Sequence, residues 1–458
     1  MKKAIILAAG RGKKIWPYGE VRPKALLPVA GRPLVSFLVN NLLSLGVKEI
    51  LIAVSPEYSG DIRTAFSRVP SVRVAEVKNS EGTADTLFSV LDGEDSAGTA
   101  VFYGDTLIHS DDLKSFLSSV TDDKEGLRVL LTSQAQEDSR DWIGARVSGG
   151  AITEILGHPR EGGMHRFSAF IPGRGFSDYL ERCPSYFPSI EVGMMPPREK
   201  HIEAALSLWL RDGHPVSVTE TTHLTPDIDK PWHILEANRL MVDRLCSELK
   251  ENELAEGASI DDSAALAGPV RLGRNSRIGK NVILRGKLIA GDNVTIDAGA
   301  IIDGDLIVGD GSFVGNACFI EGGSVVGADC VVSHAAELSG VIFDGVYLYH
   351  YMEIYGIVGR NTDIGAATVC GSLRFDDGIT IHKTDGRREF PRNYSNASFI
   401  GDYCRTGVNA VIMPGCKTGP YSIIGPAVLL EQDLPEGTGI RVKQEQETFK
   451  WGPERYGW

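Results

Sequence analysis

The sequence LGRNSRIGKNVILRGKLIAGDNVTIDAGAIIDGDLIVGDGSFVG, residues 272–315, carries an apolar residue at every sixth position. The register continues to Leu338, so that twelve successive positions are apolar, and glycine follows six of them. A fixed period of six is the signature of a parallel β-helix, in which each repeat forms one flat side of a coil. The aliphatic residue would point inward, and glycine would allow the tight corner. We call the twelve apolar positions anchors: Leu272, Ile278, Leu284, Ala290, Ile296, Ile302, Val308, Val314, Ile320, Val326, Val332 and Leu338.

The same register returns at residues 358–370 and 400–424, after two interruptions. The first interruption, at about 341–357, is aromatic and contains His350, whereas the second, at about 376–397, is basic and polar. Insertions in a solenoid protrude from one face and often carry function. We therefore predict two protruding loops.

The seven cysteines include no CxxC pair, so neither a zinc site nor a disulfide framework is suggested. Five of them lie on the six-residue register or two residues before one of its apolar positions, which predicts small buried core residues rather than thiol chemistry. These five are Cys318, Cys330, Cys370, Cys404 and Cys416.

Residues 1–250 lack this period and alternate short aliphatic runs with amphipathic stretches. The runs KAIILAA, EILIAVS, AVFYGD and LRVLLTS are rich in aliphatic residues, which predicts buried strands. The stretches VSFLVNNLLSLG and TADTLFSVLDG have helical spacing and end at glycine. This alternation predicts an α/β domain with a mostly parallel sheet, whose ligands bind at the carboxyl ends of the strands. Residues 230–251 read as one amphipathic helix, either a bridge between domains or a packing helix of the first.

The chain of 458 residues has a formal net charge of −13 and a pI near 5.3. This acidic balance argues against a nucleic-acid coat protein or a polybasic membrane binder. The first apolar run is shorter than a secretory signal needs, and no apolar stretch approaches the roughly 20 residues that span a bilayer. We therefore expect a cytoplasmic protein that has neither a membrane nor a nucleic-acid polymer as its partner.

The chain opens with an apolar run that leads into a loop rich in glycine and lysine, LAAGRGKKIWPYGEVRPK over residues 7–24. Glycines let backbone N–H groups approach phosphates closely, and lysines supply point charges. The loop is neither a Walker A loop nor a dinucleotide fingerprint, because GKS/T and GxGxxG are both absent. It predicts a phosphate-bearing ligand held by a loop of another kind.

Residues 7–34 closely resemble the signature of the sugar-1-phosphate nucleotidylyltransferases, usually written LAAGxGxRM…PKxLxPVxGxP. Three further matches follow in order: EGTA at 81–84, YGD at 103–105 and DIDKPW at 227–232. Together with the hexapeptide repeats, they make essentially the whole chain similar to the archaeal-type bifunctional N-acetylglucosamine-1-phosphate uridylyltransferase/glucosamine-1-phosphate N-acetyltransferases.

The resemblance implies an α/β, Rossmann-like nucleotidyltransferase domain at residues 1–229, with a bridging helix and linker at 230–264. A left-handed parallel β-helix of hexapeptide repeats would follow at 265–445, and a C-terminal tail at 446–458. The left hand comes from the family alone, because the general crossover rule favours the right hand. The family also implies a homotrimer formed through the β-helix.

By the same resemblance, the first domain would transfer a nucleotidyl group from an NTP, with UTP favoured and dTTP as the alternative, to a sugar 1-phosphate. Lys24 would meet the α-phosphate, and Lys14 the β- and γ-phosphates, where the family usually has arginine. Asp105 and Asp227 would bind Mg²⁺, a hard cation suited to carboxylate oxygens. The nucleotide would be held by Leu7, Ala8, Ala9, Gly10, Gly12, Gly82, Thr83, Tyr103 and Gly104.

The second half of the family uses a histidine as general base on the amino group of the sugar and binds acetyl-CoA between coils. His350 lies in the first interruption and is the candidate base, because a pKa near 7 suits that role. A count back from Gly359 puts Tyr349 rather than His350 at the family's position. The alternative interpretation is a histidine without catalytic duty, in a β-helix that serves trimerisation and support.

Departures from the family leave the base and the sugar open. The usual sugar-contacting glutamate and asparagine are missing, since the matching stretches read GHP at 157–159 and FSAF at 167–170. The glutamine that commonly reads uracil is replaced by VKNS at 77–80. Three hypotheses remain: a sugar-1-phosphate nucleotidylyltransferase, the full bifunctional enzyme, and a catalytically impaired regulatory paralogue that binds nucleotide-sugars.

Overall fold

The computed structural model describes residues 2–10, 12–119, 125–134, 141–159, 162–185 and 198–453. Arg11 of the opening motif and residues 454–458 of the predicted tail lie outside the described residues. The chain divides into two compact units. The first consists of residues 1–245 with 383–389, and the second of residues 246–382 with 390–458.

The first unit, apart from its segment 383–389, is built from eleven described strands and seven described α-helices, the last of which runs on into the second unit. The strands are Lys3–Leu7 (β1), Pro28–Val29 (β2), Arg32–Pro33 (β3), Glu49–Val54 (β4), Val72–Glu76 (β5), Ala100–Tyr103 (β6), Leu127–Ser133 (β7), Ile143–Ser148 (β8), Ala151–Gly157 (β9), His165–Ile171 (β10) and Val216–Glu220 (β11). The helices are Leu34–Ser44 (α1), Ser59–Ala65 (α2), Thr83–Leu91 (α3), Ser110–Ser118 (α4), Phe176–Glu181 (α5), Ile202–Arg211 (α6) and Pro231–Glu248 (α7).

A nine-stranded sheet forms the centre of this unit, with strands in the order β11-β7-β10-β6-β1-β4-β5; β8 pairs with β10, and β9 pairs with β8. Pairing is parallel except at β10, β8 and β9. The four aliphatic runs form β1, β4, β6 and β7, so the predicted α/β fold with a mostly parallel sheet is confirmed. Gly46 and Gly93, with φ of 84° and 80°, adopt the left-handed conformation that ends α1 and α3.

The predicted helix at 230–251 is α7, which runs past the boundary between the units at residue 245. Ile234, Leu235 and Met241 of α7 are buried, as the helical spacing indicates. Leu249, which follows the last residue of α7, is buried as well. None of the helices in the described part of the chain is long and apolar enough to cross a membrane.

Every described element from residue 253 onwards is a strand, most have two or three residues, and all belong to the second unit except those in the segment 383–389. They are Glu253–Leu254 (β12), Ser259–Ile260 (β13), Ala265–Leu266 (β14), Val270–Leu272 (β15), Arg277–Ile278 (β16), Ile283–Leu284 (β17), Leu288–Ala290 (β18), Thr295–Ile296 (β19), Ile301–Asp303 (β20), Leu306–Val308 (β21), Phe313–Val314 (β22), Phe319–Glu321 (β23), Ser324–Val326 (β24), Val331–Val332 (β25), Glu337–Ile342 (β26), Tyr347–Leu348 (β27), Glu353–Val358 (β28), Asp363–Ile364 (β29), Val369–Cys370 (β30), His382–Thr384 (β31), Arg387–Glu389 (β32), Ser398–Ile400 (β33), Arg405–Thr406 (β34), Val411–Ile412 (β35), Lys417–Thr418 (β36), Ile423–Ile424 (β37), Leu429–Leu430 (β38) and Gly439–Ile440 (β39).

These strands stack in parallel on the strands 18 residues away, as in the series Ile278, Ile296, Val314 and Val332. All twelve anchors are at most 4% exposed and belong to one continuous apolar core. The predicted parallel β-helix is therefore confirmed. The five cysteines assigned to its core are buried, and burial raises the pKa of their thiols well above the usual value.

The β-helix begins earlier than the predicted boundary at residue 265, because the first strands already lie at β12 and β13. Leu254, Ile260 and Leu266 continue the six-residue register towards the N-terminus. Leu254 is 48% exposed, since a terminal coil has a neighbour on one side only.

The prediction of a protruding loop at 341–357 is wrong. Here β26, β27 and β28 continue the coil, but each residue pairs with one 16 positions away, as Val331 does with Tyr347. The six-residue strand β26 replaces two short strands and the corner between them. Residues 339–340 make the connection for which the preceding coil uses the four residues 321–324. Gly340, with φ of 138°, allows this shorter path.

The second interruption does leave the coil. Its strands β31 and β32 form a separate two-stranded sheet, and residues 383–389 group with the first unit. Its base is tied to the second unit by His382, whose Nε2 donates to the Ser395 carbonyl at 2.7 Å and whose Nδ1 accepts from Lys417 Nζ at 3.2 Å. Residue spacing thus predicted one of the two loops.

Neighbouring isoleucines in β37 test the inward and outward positions of the repeat. Ile424 is 1% exposed and Ile423 is 55% exposed. Because truncation of a buried isoleucine leaves a cavity, we expect Ile424→Ala to lower the free energy of unfolding by about 2–5 kcal/mol. The matched control Ile423→Ala should change it by less than about 0.5 kcal/mol. Urea denaturation of the full chain measures both, and equal losses would contradict the assignment of the two faces.

Candidate functional site

The carboxyl ends of β1 and β6 bring two of the predicted segments side by side. Leu7 and Tyr103 are partners in the last position of the parallel pair. The Gly104 N–H donates to the Leu7 carbonyl at 2.9 Å, and a side chain at Gly104 would meet Ala8 and Leu7 at 3.1 Å. Glycine therefore favours the close packing of the two loops, because any side chain here would make tight contacts. Gly10, by contrast, is exposed, with nothing within 4 Å of an added Cβ.

Lys24 lies at the centre of a cluster of charges above this edge. Its Nζ donates to Asp105 Oδ2 at 2.7 Å and to Asp229 Oδ1 at 3.2 Å. Lys14 Nζ donates to the other oxygen of Asp229 at 3.3 Å. The structure thus brings together both predicted lysines and one predicted aspartate, and it adds Asp229.

Asp227, the second predicted metal ligand, is held by three side chains. Trp142 Nε1 donates to its Oδ2 at 2.6 Å, Thr106 Oγ1 donates to its Oδ1 at 3.2 Å, and Arg166 lies 3.7 Å from the same oxygen. Arg166 is itself fixed by a hydrogen bond from Nη2 to the Thr225 carbonyl. These contacts hold Asp227 in one orientation.

Burial and charge shift the pKa values of this cluster in opposite directions. Burial lowers the pKa of Lys24, but Asp105, Asp229 and Asp227 together raise it above its usual value. Burial raises the pKa of Asp105, and repulsion from Asp227 adds to the rise although Lys24 opposes it. For Asp229, the attraction of Lys24 and Lys14 overcomes the effect of burial and lowers the pKa.

The N-terminus of α3 carries two further residues that we predicted to bind nucleotide, Gly82 and Thr83. Gly82 has φ of 146°, and a side chain there would clash with the backbone of Lys200. The Thr83 hydroxyl accepts a hydrogen bond from the Ile202 N–H at 3.1 Å. The segment before α6 is therefore packed directly against the loop that carries EGTA.

Tyr103, which we predicted to bind nucleotide, connects the end of β6 to α6. Its hydroxyl donates to Oε1 of the buried Glu203, on α6, at 2.6 Å. Burial raises the pKa of Glu203, although charges and hydrogen bonds around it partly oppose the rise. The position of the Tyr103 ring between β6 and α6 is thus fixed.

The positions of the missing sugar contacts differ in character. Gly157 ends β9, and His158 after it has φ of 51° and donates its N–H to the Trp142 carbonyl. Ser168 is fully buried within the sheet, and its hydroxyl lies 2.8 Å from that of Thr132. Ser168 therefore belongs to the core of the sheet.

His350 belongs to the second unit. Its Nδ1 lies 2.9 Å from Nδ1 of His334, one coil away, so one of the two nitrogens must carry the shared proton. The exposed Tyr349 packs against both imidazoles, with ring centroids 5.1 Å from His334 and 4.6 Å from His350. The sequence did not reveal His334 as its partner.

Three residues of the first-unit site escaped the sequence analysis: Asp229, Trp142 and Arg166. Asp229 follows Asp227 by two positions, and in an extended segment that spacing places two side chains on one face. This signal was available in the sequence. Trp142 and Arg166 reach the site through the tertiary packing of β8 and β10, and no local sequence pattern predicts that packing.

The comparisons with known proteins agree with this arrangement. The family model "Nucleotidyl transferase" matches residues 3–152, and the model "GMPPB C-terminal domain" matches residues 249–344. A Sulfurisphaera tokodaii protein named bifunctional sugar-1-phosphate nucleotidylyltransferase/acetyltransferase is 23% identical over 96% of this chain and 100% of its own length. Proteins of Methanocaldococcus jannaschii and Methanococcus maripaludis named bifunctional protein GlmU are 25% and 28% identical, over 96% of this chain and 98% of each relative.

The close approach of Gly82 to Lys200 yields a prediction for stability. Gly82→Ala forces a side chain into the Lys200 backbone at an unfavourable φ, so we expect a loss of about 2–4 kcal/mol in the free energy of unfolding. The control is Gly60→Ala in α2, where an added Cβ meets nothing within 4 Å, and it should be neutral or slightly stabilising. Denaturant titration compares the two, and an unchanged Gly82→Ala protein would refute this packing.

Proposed function

We propose that the chain, whose N-terminal unit is a nucleotidyltransferase domain, joins an NTP to a sugar 1-phosphate and releases pyrophosphate. One observation carries the proposal. Lys24 contacts Asp105 and Asp229 at the carboxyl edge of the parallel sheet, and a Cβ added at Gly12 of the glycine loop would lie 3.8 Å from the Cβ of Lys24. A cation between carboxylates, next to an open glycine loop, suits a ligand that carries phosphate and a divalent metal.

In the proposed reaction, an oxygen of the sugar 1-phosphate attacks the α-phosphorus of the NTP, and the bond to the β-phosphate breaks. Such a transfer depends on positioning and on neutralisation of charge, with no covalent intermediate on the protein. Lys24 would exchange its carboxylate partners for oxygens of the α-phosphate. Lys14 is more exposed and, among the described residues, is bound to Asp229 alone; it would contact the β- and γ-phosphates.

The residues present fit a Mg²⁺ site. Asp105 and Asp227 offer only oxygen ligands, which Mg²⁺ prefers. Oδ1 of Asp105 has no hydrogen-bond partner among the described residues. Mg²⁺ bound by these two carboxylates would neutralise the charge of the phosphate oxygens.

UTP is the favoured donor in this proposal, with dTTP as the alternative, on the strength of the resemblance to uridylyltransferases. The acceptor is specified only as a sugar 1-phosphate. Gly157 and the buried Ser168 stand at the positions where the family carries its sugar contacts, so any sugar recognition must come from other residues.

Substitutions of the charge cluster test the proposed chemistry. We expect Asp105→Asn and Asp227→Asn to lower kcat by about 10²–10³-fold, because each removes charge that stabilises the transition state. Lys24→Met should have a similar effect. Pyrophosphate release from a panel of NTPs and sugar 1-phosphates is the measurement.

Two exposed positions serve as matched controls, Asp61→Asn in α2 and Lys48→Met before β4. Both should retain wild-type rates. Absence of pyrophosphate release from the wild type with every pair, together with measurable binding of a nucleotide-sugar, would favour the impaired paralogue. Full activity in Asp105→Asn or Asp227→Asn would refute the metal assignment.

We also propose acetyl transfer in the second unit, because His350 and His334 form a hydrogen-bonded imidazole pair at an accessible corner of the β-helix. If Nδ1 of His350 donates to His334, its Nε2 is free to take a proton from the amino group of a sugar phosphate. The amine would attack the thioester carbonyl of acetyl-CoA, and the CoA thiol would leave. The homotrimer stays a prediction.

Thiol release from acetyl-CoA with glucosamine 1-phosphate tests the second activity. Loss of the proton acceptor in His350→Ala should slow the reaction by about 10²–10⁴-fold. His334→Ala should retain part of the rate and shift its pH profile, since His334 acts through His350. An unchanged rate in His350→Ala would remove that residue as the base.

A further inference from the structure

A short antiparallel ribbon links the candidate active site to a second cluster of side chains. Thr106 pairs with Asp227, the Leu107 N–H donates to the Pro226 carbonyl at 2.9 Å, and the Ile228 N–H donates to the Asp105 carbonyl at 3.0 Å. The predicted metal ligands Asp105 and Asp227 therefore lie at one end of this ribbon. The chain leads four residues onward from Asp105 to His109, and four residues back from Asp227 to His223.

The imidazole rings of His109 and His223 lie together at the other end. Their centroids are 3.7 Å apart and their planes differ by 11°. Asp111 completes the group, and one ligand atom from each of the three residues lies within 4.8 Å of the other two. Two imidazoles and a carboxylate are a typical ligand set for zinc and related divalent ions.

A buried carboxylate supports His223 from behind. Asp112, 4% exposed, lies 3.1 Å from His223 Nδ1 and also accepts hydrogen bonds from the backbone amides of Thr222 and His223. In the tautomer that donates Nδ1–H to Asp112, the lone pair of the His223 ring is on Nε2. A histidine that donates its second nitrogen to a carboxylate is the usual support of a metal ligand.

His109 is held at the N-terminus of α4. Its Nδ1 accepts a hydrogen bond from the Asp111 N–H at 3.2 Å. A neutral imidazole is the form that binds a metal ion.

We propose that His109, Asp111 and His223 form a binding site for a transition-metal ion such as Zn²⁺, separate from the Mg²⁺ site. In the stacked arrangement the rings cannot both direct an in-plane nitrogen at one ion, so the His109 ring must turn out of the stack. The Asp111 side chain is 74% exposed and the His109 side chain 18% exposed, so Asp111 has the more room to move. His223 stays fixed by Asp112.

The bound ion would clamp the two segments that carry Asp105 and Asp227. Loop 221–225 is otherwise held to α4 mainly through Asp112, and it leads directly into Asp227. A cross-link at the far end of the ribbon limits its twisting. The site is thus structural, and its existence does not depend on the proposed reactions.

Titration of Zn²⁺ into the metal-free full chain, with Mg²⁺ in excess, tests the site. His109→Asn is the decisive variant, because asparagine preserves a helix N-cap while it removes the imidazole. We expect wild type to bind one ion more tightly than His109→Asn by at least about 10–100-fold. His350→Ala, which disrupts the other imidazole pair, is the matched control and should keep the tight site of the first unit.

A second measurement guards against misfolding. Zn²⁺ should raise the melting temperature of wild type and of His350→Ala, and it should leave that of His109→Asn unchanged. Replacement by Co²⁺ should give visible absorption bands that His223→Ala loses. Equal Zn²⁺ affinity and stoichiometry in wild type and His109→Asn would overturn the proposal.

Discussion

The ammonium group of Lys24 is the element on which the first-unit site depends. It binds Asp105, which follows β6, and Asp229, which precedes α7, so one cation connects three distant segments. Three aspartates crowd this partly buried region, and without a cation their repulsion would raise their pKa values and push the segments apart. Lys14 adds the second charge on Asp229. The structure of this edge and the charge cluster therefore depend on each other.

The two predicted metal ligands are not equivalent. Trp142, Thr106 and Arg166 all hold Asp227, whereas Asp105 is bound by Lys24 alone among the described side chains. A carboxylate with several neutral and charged donors keeps its orientation, and one with a single flexible partner can exchange that partner. This asymmetry suits a site in which phosphate takes Lys24 and the carboxylate becomes available to a cation.

Most of the fold could be predicted from periodic patterns, because the apolar residues of strands, of helices and of β-helix coils each recur at a fixed interval. All twelve anchors lie in the core, and the four aliphatic runs are strands of the central sheet. The charge cluster was predicted in part, since Asp105, Asp227 and Lys24 belong to a recognisable motif. Trp142 and Arg166 were not, because their approach depends on how β8 and β10 pair. The coil at 341–357 was mistaken for a loop, since a shortened repeat breaks the period as an insertion does.

That shortened repeat also explains the imidazole pair of the second unit. Asn316 and His334 occupy one corner on successive coils, 18 residues apart, but the next coil has only 16 residues. The residue above His334 is therefore His350, and a full-length coil would have placed residue 352 there. Gly340 permits the shortcut because its φ of 138° suits a residue without a side chain. Because this coil is two residues shorter and has one corner fewer, His334 and His350 lie within hydrogen-bonding distance.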